Sequence, residues 1–175
     1  MNNGLAILSA SILLSALMPI SEARAHRVLL QEWVSPDHRT TISSLRAQVW
    51  KEPGYDLWLH HLGHKPVVID EYYRSVDVAW SPDSEYVAVT DWIGSNVADC
   101  YLVDVAKPES VFSVTSAVPS LPESPDNSHF YVSCKNWEGS RKIKVEVSGH
   151  TDESDSHEFD YRFVFDVNTH RMRRL

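Results

Sequence analysis

The run from Asp77 to Val105 alternates between apolar and polar residues in short bursts separated by turn formers, the period-two pattern of half-buried β-strands. Val78 and Trp80 lead into Ser81-Pro82-Asp83, where proline presets φ and aspartate bonds the backbone that follows, so a turn is expected. Tyr86-Val87-Ala88-Val89 predicts a second strand. Asp91 to Asn96 breaks it, and Cys100 to Val105 predicts a third.

This layout recurs. Ser-Pro-Asp stands at 35–37, 81–83 and 124–126, and a tryptophan follows each time, at Trp50, Trp92 and Trp137. A glycine follows each tryptophan, at Gly54, Gly94 and Gly139, and the last two read Trp-x-Gly-Ser. Alternating strands come next, at Leu57–His61, Tyr101–Val105 and Phe163–Val167. Three repeats are therefore expected, spanning about 26–75, 76–117 and 118–175, each a four-stranded unit of propeller-blade size. The third carries an insertion, with Ile143–Val147 as an extra strand and an acidic run from Asp152 to Asp160. The fold class is all-β.

Ala79-Trp80-Ser81-Pro82-Asp83-Ser84-Glu85-Tyr86-Val87-Ala88-Val89 resembles the "WSPDG-x-x-(L/V)-A" motif of TolB-like β-propeller repeats. Ser84 stands where that motif has glycine, and the outer repeats keep Ser-Pro-Asp with little else. The resemblance implies a propeller used for protein–protein contact, or as a non-catalytic scaffold, in the bacterial envelope. Three repeats are fewer than the four to eight blades of an ordinary closed ring. An incomplete or atypical propeller is the expectation.

Residues 1–25 read as an export signal: Leu5 to Ile20 is apolar and Ala23-Arg24-Ala25 fits a small-x-small cleavage site. The mature chain then starts at His26, in the periplasm or outside the cell, as a single domain over 26–175 without a membrane anchor. In an oxidising compartment, Cys100 and Cys134 are expected to pair. Closing a loop of about 35 residues stabilises by roughly 3–4 kcal/mol. The net charge of −8 repels phosphate backbones, which argues against nucleic acid as a partner.

Candidate chemistry is sparse. Trp50, Trp92 and Trp137, with Asp91, Ser95, Asn96, Asn136 and Ser140 beside them, are expected to form a recognition rim at one end of the blades. The alternative is tryptophans packed between sheets. His60, His61 and His64 form the most visible histidine cluster, but successive strand residues face opposite ways, so His60 and His61 cannot share an ion. Metal binding by copper or another divalent ion requires His26 as the mature N-terminus, its amino group and imidazole chelating together with a hairpin histidine. No hydrolase, P-loop or dinucleotide motif is present. The resulting reading is an exported, non-catalytic interaction module for an unidentified envelope protein or ligand, with a periplasmic copper binder as the alternative. A monomer is expected, the insertion from Ile143 to Asp160 covering a terminal blade.

Overall fold

A computed structural model describes residues 28–46, 54–121, 129–150 and 158–175. Residues 1–25, His26, Trp50 and the third Ser-Pro-Asp lie outside them. Among the described residues twelve strands form three groups of four. The first blade is β1 (Val28–Val34), β2 (Thr40–Arg46), β3 (Tyr55–His61) and β4 (Val67–Tyr72), antiparallel in that order. The second is β5 (Ser75–Trp80), β6 (Tyr86–Trp92), β7 (Val97–Asp104) and β8 (Lys107–Ser113). The third is β9 (His129–Trp137), β10 (Lys142–His150), β11 (Glu158–Asp166) and β12 (Arg171–Arg174). Among the described residues no sheet closes on itself. The fold is all-β, an open series of blades.

The repeat is visible at atomic level in the first two β-turns. Ser35 Oγ donates to Asp37 at 2.6 Å and receives the Thr40 N–H at 3.0 Å. Ser81 Oγ donates to Asp83 at 2.7 Å and receives the Tyr86 N–H at 2.9 Å. Each aspartate also accepts an N–H two residues on, from Arg39 and Glu85. The motif's glycine position is left-handed in both turns, with φ of 59° at His38 and 64° at Ser84, which explains why the motif prefers glycine.

In the third blade the correspondence differs from the sequence reading. Trp137 ends the blade's first strand, β9, whereas Trp92 ends the second blade's second strand, β6. The structural counterpart of Trp137 is Trp80. Trp80 Nε1 donates to the Trp33 carbonyl at 3.2 Å, and Trp137 Nε1 donates to the Ala79 carbonyl at 3.0 Å. Each indole thus ties its blade's first strand to the preceding blade's. Of the expected insertion, Ile143–Val147 lies in β10, paired with β9 and β11 along its length, and residues 151–157 lie outside the described residues.

Two apolar clusters fill the seams between the blades, and β7 also pairs with β9 across the second. Ile42, Leu57, Leu59 and Ile69 of the first blade meet Val76, Val87, Val89 and Val103 of the second. Leu102 and Val114 meet Val132, Ile143, Val145, Phe163 and Phe165 across the second seam. Burying a side chain of this size contributes about 1.5–3 kcal/mol, so packing rather than local turn preference decides the arrangement. Cys100 and Cys134, Cα atoms 5.8 Å apart, pair across β7 and β9.

Candidate binding cleft between the first two blades

β6 runs from Tyr86 at the Ser-Pro-Asp end of the blades to Trp92 at the other. The expected single rim is therefore split. Trp92, with exposed Ser95 and Asn96 in the β6–β7 turn, lies at the far end. There its ring sits 6.2 Å from that of Tyr131, whose hydroxyl donates to the Ser95 carbonyl at 2.6 Å. Trp137, Asn136 and Ser140 lie at the Ser-Pro-Asp end, where Arg141 bonds both Asp83 and Glu85. Both tryptophans are half-buried with their N–H groups satisfied, Trp92 by Asp77 at 2.8 Å.

Asp91 turns into the seam between the first two blades. Its Oδ1 is buried and has no hydrogen-bond partner. Burial, then the charges of Asp70 and Asp99, pushes its carboxyl up to about 6. Asp70 accepts a 2.5 Å hydrogen bond from the Tyr101 hydroxyl, and burial with this carboxylate beside it drives that phenol far above its ordinary range. Ser44 and the Tyr72 hydroxyl form a further polar pair in this seam.

At the Ser-Pro-Asp end the same two blades part into a cleft of about 800 Å³. Leu59, Val67, Tyr86, Val105 and Pro108 supply apolar lining, Asp37, Asp83, Glu85, Asp104 and Glu109 supply carboxylates, and Lys65 supplies a cation on the first-blade wall. The size falls within the range of small-ligand and peptide sites, about 300–1,000 Å³. Its walls are latched by the Asp37 N–H, which donates to Ser84 Oγ at 3.1 Å across the seam. Hydrogen bonds from the Ser35 hydroxyl and the Arg39 amide hold the Asp37 carboxyl below its ordinary range. Asp83 is likewise lowered by Ser81 and Arg141, against its partial burial. Both remain charged at neutral pH.

His61 and His64 line this cleft, their rings 4.9 Å apart, and His61 Nδ1 is 2.7 Å from Thr40 Oγ1. His60 points to the other face, beside Trp58. Among the described residues no three His, Cys, Asp or Glu side chains gather as a metal ion would require. The cleft was missed from sequence because its walls come from four separate turns. The repeated Ser-Pro-Asp marked two of them.

The sequence matches no protein-family model and no curated protein. Among solved structures it is similar to the β-propeller domain of the trilobed protease from Pyrococcus furiosus. That match has a TM-score of 0.56 at 15% identity and covers 84% of this chain and 43% of that one. The chain has the β-propeller fold. A second similar structure is TolB from Acinetobacter baumannii, with a TM-score of 0.42 at 14% identity, covering 85% of this chain and 32% of that one. The chain spans less than half the length of either propeller protein. Among the described residues no helix is long and apolar enough to cross a membrane.

Proposed function

We propose that this chain is an exported, non-catalytic protein-interaction module of the bacterial envelope that engages its partner through the cleft between the first two blades. The observation that carries this reading is the cleft itself: apolar lining, carboxylates on both walls, and turns fixed by reciprocal Ser-Pro-Asp bonds. Such a surface loses little conformational entropy when a partner binds. The second-blade wall, with Asp83, Glu85, Asp104 and Glu109, suits a segment bearing lysine or arginine, and electrostatic steering would speed that encounter. The TolB-like likeness of the repeat motif supports the same class of function. The second, smaller surface at the far end, around Trp92, Ser95 and Asn96, is the competing site.

Photo-crosslinking residues placed singly at His64, Glu109 and Asn96 in the expressed full chain test this in cells. A partner trapped from His64 and Glu109 supports the cleft. Trapping from Asn96 alone moves the site to the far end, and no partner from any position rejects the module. Sequencing the N-terminus of the recovered chain reads export directly, with His26 as the expected first residue.

A further inference from the structure

Among the described residues the first blade forms a sheet of its own, and no strand pairing joins it to the second. Most of the seam between them is apolar, with Ile69 and Tyr72 of β4 packed among Val76, Val87, Val89 and Val103. Towards the Trp92 end three carboxylates gather in it: Asp70 from β4, Asp91 from β6 and Asp99 from β7. They take no part in the strand ladders or the cleft.

The three differ in what answers them. Asp70 accepts the Tyr101 hydroxyl at 2.5 Å across the seam. Asp91 and Asp99 are opposite each other in the β6–β7 register, so their side chains leave the sheet on one face. There Asp91 Oδ1 is buried with no donor to meet it. The other titratable groups facing it are the hydroxyls of Tyr72, on β4, and Tyr101, on β7. Tyr72 is engaged with Ser44 and Tyr101 with Asp70. On β5 the residue opposite Asp91 is Val76, whose side chain has nothing to donate. Among the described residues the charges that act on Asp91 include no cation. An ionised Asp91 is therefore held beside two like charges with one oxygen cut off from water, and a protonated one is spared both costs. Part of that cost, the charge of Asp70 and the cover given by β4, belongs to the docked first blade. It lapses when that blade parts from the second.

We propose that protonation of Asp91 switches the docking of the first blade on the second, which is held closed while the carboxyl carries its proton and parts more often once the proton is lost. Burial and the charges of Asp70 and Asp99 set the change at about 6. The closed seam binds this proton more tightly than the parted one, so opening is rarest in acid and rises as pH passes through that value. One proton allows a rise of at most about tenfold per pH unit. The cleft lies at the other end of the same seam, so its walls are held in register in acid and yield above it. The switch stands whether or not the cleft is where a partner binds.

Amide hydrogen exchange of the full chain, followed by mass spectrometry from about pH 4.5 to about pH 7.5 and corrected for the intrinsic rate, measures how often each strand opens. Strands β2 to β4 should open more often than β9 and β10 at the upper pH, and roughly tenfold or more less often at the lower. Asp91→Asn, fixed as neutral, should hold them at the acid level throughout. Asp70→Asn removes the charge that the first blade brings and should shrink the rise without abolishing it. A melting curve confirms that each variant is folded. Equal protection of all three blades overturns the proposal, since the first blade then parts only in global unfolding. So does opening that ignores pH, or a rise that survives in full in both variants, because another group then drives it.

Discussion

Replacing Asp91 with asparagine should stabilise the protein, by an amount that depends on pH. The carboxyl sits in the seam between the first two blades with Oδ1 buried and unpartnered, facing the charges of Asp70 and Asp99. Its ordinary value is 3.8 and in the fold it rises to about 6. At about 1.4 kcal/mol per pH unit that displacement is worth about 3 kcal/mol in full. The group keeps some contact with water, so screening reduces this to about 1–2 kcal/mol. The folded state binds this proton more tightly than the unfolded chain does. The resulting stabilisation is complete below the unfolded value and is lost as pH rises through about 6. Asparagine keeps the shape and never ionises. Urea titrations of both proteins should therefore show little difference near pH 4, a gap opening through pH 6, and a plateau of about 1–2 kcal/mol above pH 7. A difference that is constant across this range, or an asparagine variant less stable at pH 8, would refute the argument.

Denaturing, non-reducing thiol labelling should find neither Cys100 nor Cys134 free, and the double serine variant should lose about 3–4 kcal/mol for the 34-residue separation. Gly149→Ala should cost about 2–3 kcal/mol in a urea titration, because a Cβ there would lie 2.1 Å from the His129 carbonyl oxygen and 2.5 Å from Phe159. Trp80→Phe removes the indole donor to the Trp33 carbonyl while keeping most of the packing, and thermal melts should show a loss of about 1–2 kcal/mol. His38→Gly relieves a left-handed backbone at φ 59° and should raise stability by about 0.5–1 kcal/mol in the same assay.

The first two blades were legible because their information is local. Ser-Pro-Asp specifies its own turn, the flanking alternation specifies the strands, and the two bond networks coincide donor for donor. The third blade misled for a physical reason. Trp-Ile-Gly-Ser at 92–95 and Trp-Glu-Gly-Ser at 137–140 share letters but occupy different connections, and only Gly139 is left-handed, at φ 66°. A tetrapeptide does not record which strand it ends. The site was less legible than the fold. Asp91 looked like a surface residue beside Trp92, and nothing near it in sequence announces Asp70. Likewise, the pairing of Arg141 with Asp83 and Glu85 spans more than fifty residues and exists only once two blades have docked.

The two seams are built from different materials. β7 and β9 share parallel pairing at Val97–Phe130 and Ala98–Tyr131, so the second and third blades form one continuous sheet, crossed by the Cys100–Cys134 bond. The first blade belongs to a separate sheet, held by side-chain packing, Trp80, Ser84 and the Tyr101–Asp70 bond. Mechanically the molecule is therefore a rigid two-blade body with a one-blade arm, and the compliant joint between them runs through the cleft. Amide protons of β2 and β3 can exchange through swinging or local melting of that arm while β6, β7, β9 and β10 stay protected. A partner wedged into the cleft would act on the joint itself, so occupancy would be felt as stiffness along the whole arm.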